Sequence, residues 1–141
     1  MKLRTYFCFG ALALGISTLG GCTKTAAVAE MREIQTQRTK DLTIVLLNEK
    51  GELAMGQNRF IIAFRSAGSN QPVDVGTVTV GSSMAMPGMA PMTAPIELEP
   101  AGKIGQYTAK GNFGMSGAYR FEVRWDGPAG GGTASFNTNV R

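Results

Sequence analysis

Four of the eight methionines of this 141-residue chain fall within residues 84–92, in the run Gly81-Ser82-Ser83-Met84-Ala85-Met86-Pro87-Gly88-Met89-Ala90-Pro91-Met92. A thioether sulfur is soft, neutral and polarisable, which suits Cu(I) and makes it a poor ligand for zinc, calcium or magnesium. In an extended chain Met84 and Met86 project to the same side, and Pro87-Gly88 can turn the backbone so that Met89 or Met92 returns toward them. Three or four thioethers converging in this way would hold Cu(I). The same residues admit a second use. Methionine fills irregular gaps and lines adaptable protein-binding surfaces, and the intervening prolines and alanines suit an exposed, kinked loop that contacts a partner without any metal. The spacing alone leaves both uses open.

The rest of the composition narrows the chemistry. There is no histidine, and the two cysteines are Cys8 and Cys22. General acid–base catalysis near neutral pH, nucleophilic triads and imidazole-built zinc or Cu(II) sites all lose their usual base or ligand. No carboxylate is singled out by spacing. The expectation is therefore a binding protein and not an enzyme. The formal net charge is +4, and it falls to +2 once Lys2 and Arg4 are removed with the leader described next. So small an excess, spread along the chain, gives no reason to expect nucleic acid as a partner.

The start of the chain has the pattern of a bacterial lipoprotein signal. Basic residues Lys2 and Arg4 precede an apolar run from Tyr6 to Leu19, which ends at Leu19-Gly20-Gly21-Cys22. The run is short for a membrane span, and the two glycines leave room for cleavage before Cys22. Residues 1–21 are thus expected to be a signal peptide and Cys22 to carry the lipid. Each buried methylene of the acyl chains contributes about 0.8 kcal/mol, so several chains on one cysteine anchor the protein to a membrane without a transmembrane helix. The expected location is the cell envelope, facing the periplasm or the extracellular side. Thr23 stands where an aspartate would signal inner-membrane retention, which favours the outer membrane in a Gram-negative cell. Cys8 leaves with the signal, so no intrachain disulfide remains and one domain must be held by its core.

Residues 22–40 are small and polar, with a weak helical pattern through Val28, Met31 and Ile34. They are expected to form a flexible tether. From 41 to 141 the period changes to two, with turn residues at short intervals, the signature of an all-β domain. Leu42 to Leu47 is an apolar run closed by the turn Asn48-Glu49-Lys50-Gly51. Phe60, Ile62 and Phe64 share one face of a second strand. Val73 to Val80 is a third, with a bulge expected at Gly76 where the apolar positions change parity. Ile96 and Leu98 alternate with Glu97 and Glu99, and another strand surrounds Tyr107. Tyr119, Phe121, Val123 and Trp125 alternate with Arg120, Glu122 and Arg124 and are expected to face the core. Ala134, Phe136 and Val140 mark the last strand. About seven short strands in some 100 residues predict a single immunoglobulin-like β-sandwich. The glycine-rich Gly127 to Gly132 stretch lacks the lysine and following helix of a phosphate-binding loop, and is expected to be a flexible hairpin loop.

From about Leu42 to Val140 the chain resembles the YtkA-like family, related to FixH-type domains. The resemblance rests on Met84-Ala85-Met86-Pro87-Gly88-Met89, on Gly105-Gln106-Tyr107, and on Phe113-Gly114-Met115-Ser116-Gly117-Ala118-Tyr119 leading into Phe121 and Val123. It implies a small exported β-sandwich linked to copper or heavy-metal efflux, or to oxidase assembly, with a protein of such a system as partner. Members often carry a histidine among the methionines and a tryptophan where this chain has Tyr119. The missing histidine disfavours Cu(II) and leaves Cu(I). The resemblance also brings in Met115, whose loop would lie beside Met84 to Met92 in such a sandwich; packing that loop against the core is its alternative role. Two functions compete: a lipid-anchored Cu(I)-handling module with Met84, Met86, Met89, Met92 and Met115 as ligands, and a metal-free interaction module that uses the methionine loop as a hydrophobic contact.

Overall fold

The structure, a computed structural model, describes residues 30–141, and these form eight strands with no helix among them. The strands are β1 (Arg32–Arg38), β2 (Leu42–Asn48), β3 (Gly56–Ser66), β4 (Thr77–Met84), β5 (Met92–Pro100), β6 (Gln106–Phe113), β7 (Gly117–Asp126) and β8 (Gly132–Val140). Their order is β1-β2-β3-β6-β5-β4-β7-β8, with every neighbouring pair antiparallel. The β3 to β6 segment forms a Greek key. The first half of β5 pairs with β4 and the second half with β6, so β5 joins the two layers of the sandwich. Packing of β1 against β8 nearly closes the sheet on itself.

The all-β sandwich is as the alternation predicts, with one strand more. Residues 32–38, which their composition assigns to the tether, form β1, and Thr36 stands opposite Val45 of β2. Ile34 is the only large apolar residue in Arg32-Glu33-Ile34-Gln35-Thr36-Gln37-Arg38, so side-chain period carries almost no signal there. The segment is ordered by its partner: β2 is apolar on both faces and would otherwise present an unpaired edge. The weak helical pattern through Met31 and Ile34 is overridden by this pairing. The signal sequence, Cys22 and the tether up to residue 29 lie outside the described residues.

Alternation fixes the core. Ile44 and Leu46 of β2, Phe60, Ile62 and Phe64 of β3, and Tyr119, Phe121 and Val123 of β7 are fully buried, and Trp125 nearly so. Phe121 lies at the centre, stacked on Phe136 at 5.8 Å and set edge-on to Phe60 at 6.1 Å. Such aromatic pairs add to the burial of their area. Gly76 marks the parity change between the buried Val75 and the inward Val78 and Val80, but it sits just outside β4 and not in a bulge. A Cβ there would lie 2.5 Å from the Asp126 carbonyl oxygen, so the β3–β4 loop crosses the start of the β7–β8 loop backbone to backbone. Tyr107 secures this crossing by donating its hydroxyl to the Gly76 carbonyl at 2.6 Å. The glycine-rich β7–β8 loop is consequently packed as well as turned: Gly127 meets Val75, and Gly132 lies on the Trp125 ring.

Because every pair is antiparallel, the loops sort into two ends. One end gathers the β2–β3, β4–β5 and β6–β7 loops with the start of β1 and Arg141. The other gathers the remaining four loops. Phe121→Ala should destabilise the domain by about 3–5 kcal/mol in denaturant unfolding, because it empties the centre of an aromatic cluster that cannot collapse. Arg120→Ala, on the solvent face of the same strand, should change stability by less than about 0.5 kcal/mol.

Candidate functional site

Strand β4 carries its inward alternation, Val78, Val80, Ser82 and Met84, to its last residue. Buried Ser82 keeps its polar atom satisfied by donating its hydroxyl to the Ala94 carbonyl at 2.7 Å. Met84 is 8 % exposed and belongs to the core. Pro87 and Gly88 then reverse the chain: Gly88 has φ +74°, and the Met89 N–H donates to the Met86 carbonyl at 3.2 Å. The return places Met92 directly opposite Met84 in the β4–β5 ladder. Directly opposite residues of an antiparallel pair share a face, so the two thioethers lie side by side. Met86 and Met92 are half-buried and pack against the core, while Met89 stands at the tip of the turn, 64 % exposed.

The β6–β7 loop, Gly114-Met115-Ser116-Gly117, closes over this pair. A Cβ at position 117 would lie 2.6 Å from the Met84 Sδ, and one at position 114 would lie 2.9 Å from the Met92 Cε. Both glycines are thus the places where the backbone makes room for a thioether. Gly117 has φ +149°, a conformation that further favours glycine. Met115 lies between them, 43 % exposed, and its carbonyl accepts the Tyr119 hydroxyl at 3.2 Å. The structure therefore brings Met84, Met86, Met92 and the Met115 loop to one end of the sandwich, with Met89 on its outer rim.

The donor set at this end is made of thioethers. Residues 84–92 and 114–117 contain no ionisable side chain, and among the described residues no three histidine, cysteine, aspartate or glutamate side chains come together as a metal site. A hard dication finds nothing there, whereas a soft monovalent ion finds neutral sulfur in a partly dry setting. The described groups with displaced proton affinity lie elsewhere. Lys110 beside Glu99 holds that carboxyl below its ordinary range, and burial, with Asp74 nearby, pushes the Tyr107 phenol up. One residue at this end escapes sequence reasoning. Met55 closes the β2–β3 loop immediately before β3, 29 positions from Met84, and no motif or period connects it to the others.

Gly117→Ala should destabilise the domain by about 1–3 kcal/mol, since the new methyl must displace the Met84 sulfur. In a Met84→Ala background the same change should be milder, leaving a coupling of at least about 0.5 kcal/mol in a double-mutant cycle measured by denaturant unfolding.

Comparison with known proteins agrees with this architecture. No curated protein sequence matches the chain. Among solved structures, a DUF4426-family protein from Pseudomonas aeruginosa PAO1 is similar with a TM-score of 0.51 and 19 % identity, over 75 % of this chain and 96 % of that one. PcoC, a methionine-rich copper resistance protein from Escherichia coli, has a TM-score of 0.46 and 15 % identity, over 64 % of this chain and 88 % of its own. FetP from uropathogenic Escherichia coli strain F11, in its as-isolated form, has a TM-score of 0.47 and 8 % identity, over 78 % and 95 % of the two chains. At 19 % identity the likeness to the DUF4426-family protein concerns the fold alone. The YtkA-like family model matches residues 36–124, from within β1 into β7 and including the whole methionine segment. By that match, which spans more than half of its length, the chain belongs to the YtkA-like family.

Proposed function

We propose that this YtkA-like domain is an extracytoplasmic binding module, held to a membrane through a lipid on Cys22, that handles Cu(I) through methionine thioethers. The observation that carries the reading is the Met84–Met92 pair, opposed across β4 and β5 and covered by the glycines of the Met115 loop. Met84, Met86 and Met92 supply the inner donors, and Met89 completes the set from the rim. Binding here involves no redox change. Cu(I) exchanges the ligands of its donor for thioethers, and the neutral site leaves the ion its single positive charge. The partner in this reading is a component of a metal-efflux or oxidase-assembly system that gives or takes the ion. The exposure of Met89 and Met115 favours a second reading, a metal-free contact surface for a membrane protein.

Proton competition separates thioether binding from other copper chemistry. Thiolate and imidazole sites weaken as pH falls because their ligands take up protons, whereas a thioether has none to take up. The Cu(I) affinity, corrected for the competing chelator, should therefore change by less than about threefold between about pH 5 and pH 7. Replacing Met84, Met86 and Met89 together by leucine keeps most of the volume and should abolish the tightest Cu(I) binding with the far-ultraviolet spectrum intact. A wild-type chain that binds no Cu(I) in the same titration would leave the contact-surface reading in its place. For the anchor, Cys22→Ala should leave the precursor unlipidated and out of the detergent phase on phase partitioning, while wild type enters it.

A further inference from the structure

All seven methionines within residues 30–141 lie at the same end of the sandwich. Met31 precedes β1, Met55 closes the β2–β3 loop, Met84 to Met92 span the β4–β5 turn, and Met115 is in the β6–β7 loop. The opposite end is filled without methionine, by Phe64, Val75, Tyr107 and Trp125. Methionine used simply as a filler of core gaps would not sort in this way.

Met55 is tied closely to the Met115 loop. Gly56 pairs with Phe113, so Met55 lies one residue outward of that pair on one strand and Met115 two residues outward on the other. The Met55 N–H donates to the Arg141 carbonyl at 2.7 Å, and the Arg141 N–H donates to the Leu53 carbonyl at 2.9 Å. Val140, next in the chain, pairs with Gly117. The C-terminal segment thus holds the Met55 and Met115 loops side by side. Met55 is 60 % exposed, in contrast to the buried Met84. Met55 and Met115 both leave much of their side chains in water, so packing does not account for these exposed thioethers. Met31 differs from both: it opens onto a cleft with Asn48, Glu49, Lys50 and Arg59 and has no second thioether in that lining.

We propose that Met55 and Met115 form a second, outer Cu(I) position, from which the ion passes by ligand exchange to the inner thioethers Met84, Met86 and Met92. The proposal rests on the Cu(I) reading of the inner site and adds to it a solvent-facing entry point on a separate pair of loops. With fewer sulfurs and more water competing, the outer position binds more weakly and fills second.

The test is a Cu(I) titration of the full chain in detergent micelles, with carbon-13 at the methionine methyls and single Met→Leu variants to assign them. The first equivalent should shift the Met84 and Met92 methyls and the second those of Met55 and Met115, with Met31 unmoved throughout. Met55→Leu combined with Met115→Leu should remove the second event and leave the first. If the inner methyls respond while Met55 and Met115 stay as still as Met31 through two equivalents, the outer position is refuted and the inner site stands. If no methyl responds at all, the Cu(I) reading falls and the outer position falls with it.

Discussion

Strand β5 pairs with two different strands, and the architecture turns on that change. Up to Pro95 it follows β4, with Met92 opposite Met84 and Pro95 opposite Gly81; from Ile96 it follows β6. Proline has no N–H to give to a ladder and is suited to a point where pairing ends or shifts. A strand that ran with one partner throughout would leave two separate layers. Because β5 switches, the order of eight strands is continuous, and the Ile96 and Leu98 side chains reach the same core as Ala94. The same register sets two thioethers against each other at the mouth of the sandwich.

What that mouth can bind follows from its donors. The methionine segment and the loop over it hold no charge to titrate, and two glycines in the loop bring backbone against the Met84 sulfur and the Met92 methyl. Such a site is neutral, soft and half-dry. It suits a large polarisable cation and gives a hard one no compensation for losing its water. The gradient from buried Met84 to exposed Met55 and Met89 gives the end a depth as well as a composition.

Much of this was legible in the residues, and where it was not the physical cause is specific. The alternation of Tyr119, Phe121, Val123 and Trp125 identified β7 because each inward position is large and apolar and each outward one charged. The turn at Pro87-Gly88 was legible for a similar reason, since both residues restrict or extend the backbone in a known direction. β1 was not, because polar side chains on both faces carry no period and its order comes from the open edge of β2. The close crossing at Gly76 and Gly127 was equally hidden, for a glycine in a sequence shows freedom and not which backbone it approaches.

By itself the sequence determined the all-β class, the inward faces of the strong strands and the thioether character of any metal chemistry. These depend on residue type and on neighbours a few positions apart, which hydrophobic burial and ligand softness read directly. Only the tertiary structure decided which distant segments meet: β1 on β2, Met84 opposite Met92, Gly117 on the Met84 sulfur, and Met55 beside the Met115 loop. Those meetings are fixed by strand order and register, which arise from the simultaneous satisfaction of backbone hydrogen bonds and core packing over the whole domain.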